Sequence, residues 1–226
     1  MVTQARAVET RHTVIAAAAE IFEERGYGNT SLSDVIERAN VTKGAFYYHF
    51  ATKEDLAAAI IEQANNAFGT ALDAELAAPS PMLEKLIRVP FIAVDMMRND
   101  QLIRVGYALR MAANQVTLAA GAVLEQRRAT FVGAVKTAIA EGDLNSDIDP
   151  EELGHTIWAS VTGTHVMAAA SHDNVVSRLA QVWRIILAGT VPPELLPYFR
   201  QFLSRVEQQY APAQPDEVSP LPVDHR

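Results

Sequence analysis

Apolar residues recur at three- and four-residue intervals along almost the whole chain, and no series of alternating Val/Ile/Thr/Tyr runs punctuated by hairpin turns is found; the pattern predicts an all-α protein. The first periodic segment runs from about Thr10 to Arg25, with Val14, Ala18, Ile21 and Phe22 on one face and Gly26 as its stop. Ser31 can cap the next helix and Asp34, three residues on, can answer it; this two-turn helix reaches about Ala39. Asn40-Val41 make a tight connection into Thr42–His49, and Thr52 with Asp55 then caps a long helix ending near Ala77.

Pro79-Ser80-Pro81 separates these helices from the rest, with Ser80 expected as a cap and Pro81 at the first helical position, where its missing N–H is tolerated. Helical periodicity then covers 81–98, bent near Pro90, followed by 101–113, 119–141, 150–171, 175–188 and 193–209. Asp149-Pro150-Glu151-Glu152 is a clear start signal: a cap, a proline and first-turn acids. Leu153–His172 holds twenty residues without a charged side chain, but three histidines, three threonines and two serines make it a poor membrane span. It is expected as a helix buried on most sides, with Ala159 and Gly163 admitting a close neighbour. The last sixteen residues carry four prolines and read as a disordered tail. Three parts result: residues 1–55, 56–210 and 211–226.

With 49% hydrophobic residues the chain can build a real core. It has no cysteine, which removes disulfides, thiolate zinc sites, iron–sulfur clusters and cysteine nucleophiles together. MVTQARAVETRH shows no apolar run before a cleavage site, so the expected location is cytoplasmic. A net charge of −8 argues against coating nucleic acid or anionic membrane by bulk electrostatics; any DNA contact must come from a local patch. No HExxH, GxSxG, Walker A or dinucleotide-type glycine pattern occurs. His155, His165 and His172 are spaced by ten and seven, which does not bring two rings together. EGDLNSDIDPEE lacks the glycine and final carboxylate of a calcium loop and reads as a helix-capping linker. Neither a catalytic site, a metal nor a cofactor is expected.

Gly26 to Lys53, GYGNTSLSDVIERANVTKGAFYYHFATK, is a short helix, a tight turn, a second short helix and a capped third, which is helix-turn-helix geometry. Arg38, Lys43, His49 and Lys53 supply cationic or proton-binding groups there, and no acid occurs between Asn40 and Lys53. Residues 1–62 as a whole carry six Lys/Arg against nine Asp/Glu, so the basic character is confined to this edge. Reading DNA needs small or flexible residues at the front of the recognition helix, and Thr42, Lys43, Gly44 and Ala45 provide them. Gly44 costs roughly 1 kcal/mol of helix propensity relative to Ala, which points to close backbone approach. Tyr47, Tyr48 and His49 can donate to phosphates, Lys53 can do so from the following helix, and Thr30, Ser31 and Ser33 offer hydroxyls and amides at a helix start. Phe46 and Phe50 are expected to face inward.

The segment AAAEIFEERGYGNTSLSDVIERANVTKGAFYYHFATKEDLAAAII resembles the N-terminal DNA-binding domain of TetR-type transcriptional repressors, and TKGAFYYHF-x-x-K is its most specific part. The resemblance implies three N-terminal helices that bind operator DNA, followed by a helical ligand-binding and dimerisation domain. Within that family, VTGTHVMAAASHDNVVSRLAQVWRIILAG followed by Pro-Pro resembles the receptors for γ-butyrolactone-type autoregulators of actinobacteria. Those receptors usually carry a tryptophan near the start of the helix expected at 119–141. VTLAAGAVLEQRRATF has none, and Trp158 and Trp183 are the only tryptophans. The implied partners are a palindromic double-stranded operator, a second copy of the chain, and a small effector that is γ-butyrolactone-like or a related signal read by an orphan pseudo-receptor.

Phe91, Met96, Tyr107, Arg110 and Met111, with Asn114, Phe131, Trp158, Thr162 and His165, have the composition of a small-molecule pocket and equally of an ordinary helical core. Arg110 facing inward would need an anion: Asp95, Asp100 or a ligand carboxylate. The helices at 153–172 and 175–188 are candidates to pair with their mates in a four-helix dimer interface, with Trp183 in its core. Two other readings stay open: an enzyme on an all-α scaffold, against which the missing nucleophile–base pair speaks, and an interaction module whose N-terminal helices no longer bind DNA.

Overall fold

Ten helices, and no strands, make up the described residues of the computed structural model, which are 2–112, 118–171 and 173–212. They are α1 (Val2–Arg25), α2 (Leu32–Arg38), α3 (Lys43–His49), α4 (Lys53–Ala77), α5 (Met82–Asn99), α6 (Gln101–Ala112), α7 (Leu118–Glu141), α8 (Pro150–Ser171), α9 (Val175–Thr190) and α10 (Leu196–Tyr210). Helix α1 begins eight residues before its apolar period does, because residues 5–9 are mostly exposed and carry no stripe for the period to register.

The local signals act as their chemistry requires. Ser31 and Asp34 close a reciprocal cap, with Asp34 N–H donating to Ser31 Oγ at 3.2 Å and Ser31 N–H to Asp34 Oδ2 at 2.8 Å. Thr52 and Asp55 repeat it at the head of α4, both bonds at 3.0 Å. Asp149 Oδ1 accepts from Glu151 N–H at 2.8 Å, as the start signal predicted. Ser80 departs from expectation. Pro81 itself occupies the N-cap of α5, and Glu141, arriving from the end of α7, accepts the Met82 N–H at 2.7 Å. The Ser80 hydroxyl is buried without a partner. A remote carboxylate has replaced the local cap.

Two apolar clusters organise the molecule. The head cluster joins Val14, Ala18, Ile21 and Phe22 of α1 to Phe46 and Phe50 around α3, then to Leu56, Ile60 and Ile61 of α4 and Val105 and Leu109 of α6. The body cluster gathers Leu83, Ile87, Phe91, Val135, Ile157, Leu179 and Trp183. Helix α4 belongs to both, since Leu72 lies in the second. The head cluster therefore continues past residue 55, along α4 to Ile61 and across to α6.

Helix α8 is two-faced rather than buried on most sides. Leu153, Ile157, Val161, His165 and Ala168 point inward, whereas Met167 is 73% exposed. Close approach within the protomer occurs at Gly154, where a Cβ would meet Val132 Cα at 2.7 Å; nothing lies within 4 Å of one at Gly163. Trp183 is fully enclosed in the protomer's own core, and its neighbour Ile185 is the outward residue, 76% exposed. Among the described residues no helix is long and apolar enough to cross a membrane.

Candidate DNA-reading helix and effector cavity

Helix α3 is seven residues long and stands on one anchor. Phe46 is completely buried, with Phe50 behind it, so the remaining positions are turned outward. Thr42 caps the helix by accepting from Ala45 N–H at 3.2 Å. Lys43 and Gly44 are exposed, and a Cβ on Gly44 would meet nothing within 4 Å. Tyr47 and Tyr48 are 52% and 78% exposed, too much for aromatic rings that serve packing alone. His49 is half-buried, and Ser31 and Ser33 are exposed at the start of α2.

Three of the polar groups named from the sequence are engaged inside the head. Thr30 is buried, its hydroxyl donating to the Gly26 carbonyl at 2.9 Å. Lys53 donates to the Tyr27 and Thr30 carbonyls at 2.9 and 3.0 Å and lies 4.4 Å from the Tyr27 ring centroid, tying the α1–α2 turn to α4. Arg38 is turned toward α1, paired with Glu20 and Glu24 at 3.1 and 2.8 Å, which removes it from the basic edge. On α3 itself the cation left outward is Lys43.

A cavity of about 60 Å³ opens between α4, α5, α6, α7 and α8, several times the roughly 10–15 Å³ that one water occupies. Helix α4 contributes Ala64, Asn65 and Phe68; α5 contributes Val89, Pro90, Ala93 and Met97; α6 contributes Ile103, Tyr107 and Arg110. Arg127 and Phe131 come from α7, and Trp158, Val161, Thr162 and His165 from α8. Tyr107, Arg110, Phe131, Trp158, Thr162 and His165, all named from the sequence, meet there. Phe91 does not. It is wholly buried in the body core near Tyr210, at 6.1 Å between ring centroids, because the stripe that α5 turns to the cavity is 89, 90, 93 and 97. Met96 and Met111 are half-buried and off the wall; of the adjacent methionines 96 and 97, Met97 is the one that lines the cavity. Asn114 lies outside the described residues.

Sequence reasoning missed Asn65, Phe68 and Arg127. Asn65 carried a usable signal, being a polar residue in register with Ile61, Phe68 and Leu72 on the apolar stripe of α4.

The polar side of the cavity is electropositive. Arg110 Nη1 donates to Asn65 Oδ1 at 3.1 Å, and Arg127 Nη2 donates to the Asn65 carbonyl at 3.1 Å. Neither Asp95 nor Asp100 pairs with Arg110 in any ion pair within 4.0 Å among the described residues, and its Nε is buried without a partner. Burial lowers the Arg110 pKa, and burial together with Arg110 lowers that of Arg127, Asp73 opposing weakly. Burial raises the Tyr107 pKa.

His165, 7% exposed, is pushed down to about 4, first by burial and then by the nearby Arg110 charge. Between its ordinary pKa of 6.5 and about 4, the unfolded chain binds a proton that the native protein refuses. Native stability is therefore present in full above about 6.5 and falls with pH through that window, by an amount on the order of 1–3 kcal/mol. His165→Gln is expected to flatten this part of the curve; urea midpoints at pH 7.5 and 5 whose difference is the same in both proteins would refute the assignment.

The cavity wall is also the underside of the head. Helix α6 crosses α4 at Gly106, where a Cβ would overlap Ala64 Cβ and reach the Ile60 carbonyl at 3.1 Å. From the same helix Arg104 pairs with Glu23 of α1 at 2.6 Å and donates to the Met97 carbonyl at 2.7 Å. Tyr107 and Phe68 thus line the cavity from helices that also pack into the head core.

A short, outward-turned second helix of a helix-turn-helix on a packed head, with a cavity in the helical body beside it, is the arrangement of a helix-turn-helix regulator. Residues 14–60 match the family model of bacterial regulatory proteins of the tetR family, and residues 80–192 match the tetracyclin repressor-like C-terminal domain. The chain is 28% identical over 202 residues to the A-factor receptor protein of Streptomyces griseus, covering 88% of this chain and 70% of that one. A crystal structure of a γ-butyrolactone receptor, an ArpA-like protein, superposes with a TM-score of 0.74 at 32% identity over 90% of this chain and 98% of the other. CprB of S. coelicolor A3(2), also solved in complex with its operator, superposes with a TM-score of 0.75 at 34% identity over 89% and 99%. The chain belongs to the TetR family, and its function is ligand-responsive, DNA-binding control of transcription.

Proposed function

We propose that two copies of this chain hold a palindromic operator through their α3 helices and release it when a small molecule of the autoregulator type fills the cavity. The observation that carries this reading is the double membership of α4 and α6, which line the cavity and also belong to the head core. Two recognition helices reach successive major grooves only when they stand about 34–36 Å apart, a spacing set by a two-fold dimer. A ligand that prefers a different separation weakens DNA binding by the factor with which DNA weakens ligand binding. The protein acts by binding rather than catalysis, in the cytoplasm where its operator lies.

The dimer surface is the outward face of α8 and α9. Met167 and Ile185 are 73% and 76% exposed on adjoining helices, and Gly163 leaves open room beside Val166 for a second copy's helix. Ile185→Glu is expected to give a monomer by light scattering at micromolar concentration and to reduce operator affinity to that of a single half-site. An unchanged dimer would place the interface elsewhere.

The whole reading is tested by fluorescence anisotropy of DNA fragments from around the protein's own gene, with and without organic extract of the source culture. Saturable binding to one fragment, relieved by extract, supports it. Binding no tighter than to random DNA, for those fragments and for fragments recovered by genome-wide selection, refutes it.

A further inference from the structure

Two guanidinium groups converge on one residue. Arg110 from α6 holds the side chain of Asn65 and Arg127 from α7 holds its carbonyl, so Asn65 acts as a neutral spacer that brings two cations side by side. Neither forms an ion pair within 4.0 Å among the described residues. The segment 113–124, which adjoins both helices, is Ala-Asn-Gln-Val-Thr-Leu-Ala-Ala-Gly-Ala-Val-Leu and supplies no acid. Arg110 lies 4.9 Å from the Tyr107 ring and Arg127 4.8 Å from that of Phe68, contacts that hold a cation in place without cancelling its charge. The Asp73 charge raises the Arg127 pKa but less than burial and Arg110 lower it, and the two form no ion pair within 4.0 Å.

Paired cations in a partly buried apolar wall are costly to fold and are compensated only by a partner of opposite charge. Among the described residues no carboxylate takes that part within 4.0 Å of either guanidinium. A guanidinium fork is shaped to accept a planar carboxylate through two parallel hydrogen bonds, and His165, held neutral beside them, can donate a third. Much of the remaining lining, with Phe131, Trp158, Val161, Ile103 and Met97, is apolar.

We infer that the effector of this cavity is a monoanion, a carboxylate or equally acidic group on an apolar body, with its charge between Arg110 and Arg127. The inference rests on the cavity being the effector site and names the chemistry that site takes. A lactone or ester carbonyl would accept hydrogen bonds from the same forks and leave both charges uncancelled. The ring-opened hydroxy acid of a lactone has the same skeleton and supplies the missing charge.

The test compares matched probes on the full-length protein by isothermal titration at pH 7.5: octanoate against octanamide, and 4-hydroxydecanoate against γ-decalactone. Each carboxylate is expected to bind at least about tenfold more tightly than its neutral partner, the usual scale for a charge-assisted pair. Arg110→Met should erase that preference, weakening octanoate far more than octanamide, while leaving circular dichroism and operator binding as they were. Arg127→Met serves as the second variant should the first not fold. Neutral probes that bind as tightly as the carboxylates overturn the inference, as does carboxylate binding too weak to detect at millimolar concentration, or a variant that weakens charged and neutral probes alike. Operator release, read in parallel, separates the two ideas. Preferential carboxylate binding that leaves the protein on its operator supports the anion site and sinks the gating reading, whereas a lactone that displaces DNA when the carboxylates do not overturns the anion site and keeps the gate.

Discussion

Replacing Lys43 and Tyr47 together by alanine is expected to weaken operator binding by at least about 100-fold while leaving the protein folded. Each side chain that reaches a base edge or a phosphate is worth about 1–3 kcal/mol, and two lost from one short helix occur twice in the dimer. The fold should survive because neither residue supports it. Lys43 is exposed, and Tyr47 is 52% exposed, its ring meeting the buried Phe46 edge-on at 5.4 Å between centroids. Surface positions of this kind change stability by about 0.5 kcal/mol or less. Loss of Lys43 should also reduce the slope of log affinity against log salt by about 1 per half-site. Anisotropy titrations from 50 to 200 mM salt read both quantities. Wild-type affinity and slope in the double variant would remove α3 from the DNA interface and return the interaction-module reading to consideration.

The second large effect is expected at Gly106. An added methyl would overlap Ala64 Cβ and come within 3.1 Å of the Ile60 carbonyl; the first is a β-carbon fixed to the helix and the second is helix backbone, and neither is the end of a flexible side chain. Relief requires α4 and α6 to separate. Overpacking of this kind costs about 1–3 kcal/mol, and in a protein of this size each kcal/mol lowers Tm by about 2–4 °C. Gly106→Ala should therefore melt several degrees below the wild type. Because the same crossing joins the cavity to the head, operator affinity and its response to effector should change together, unlike the pure stability loss expected from a cavity in the body core such as Leu179→Ala. A Gly106→Ala protein with wild-type Tm and wild-type gating would show that α6 does not couple to α4 at this point.

Much of the fold was legible because its signals act over four residues or fewer. The caps at Ser31, Thr52 and Asp149, the stop at Gly26, and the inward Phe46 and Phe50 depend on neighbours along the chain. The cap at α5 was not legible, since its acceptor is Glu141, 59 residues away. Six of the ten residues named from composition line the cavity, but Met96 and Met97 differ only in helical phase, and phase depends on how α5 lies against its neighbours. Lys53 and Arg38 looked like free cations because nothing local showed that the Tyr27 and Thr30 carbonyls or the α1 carboxylates would reach them.

Taken alone, the sequence determined an all-α chain, a helix-turn-helix with an outward Lys43, Tyr47 and Tyr48, and a family resemblance carried by TKGAFYYHF-x-x-K, all properties of short contiguous segments. Tertiary structure alone decided which charges are spent and which are left over. Arg110 and Asn65 are 45 residues apart and Arg127 and Asn65 are 62 apart, so only packing of α4 against α6 and α7 could reveal two guanidiniums on one asparagine. A charge is neutralised by whatever is near it in space, and spatial nearness across helices is what a one-dimensional pattern does not contain.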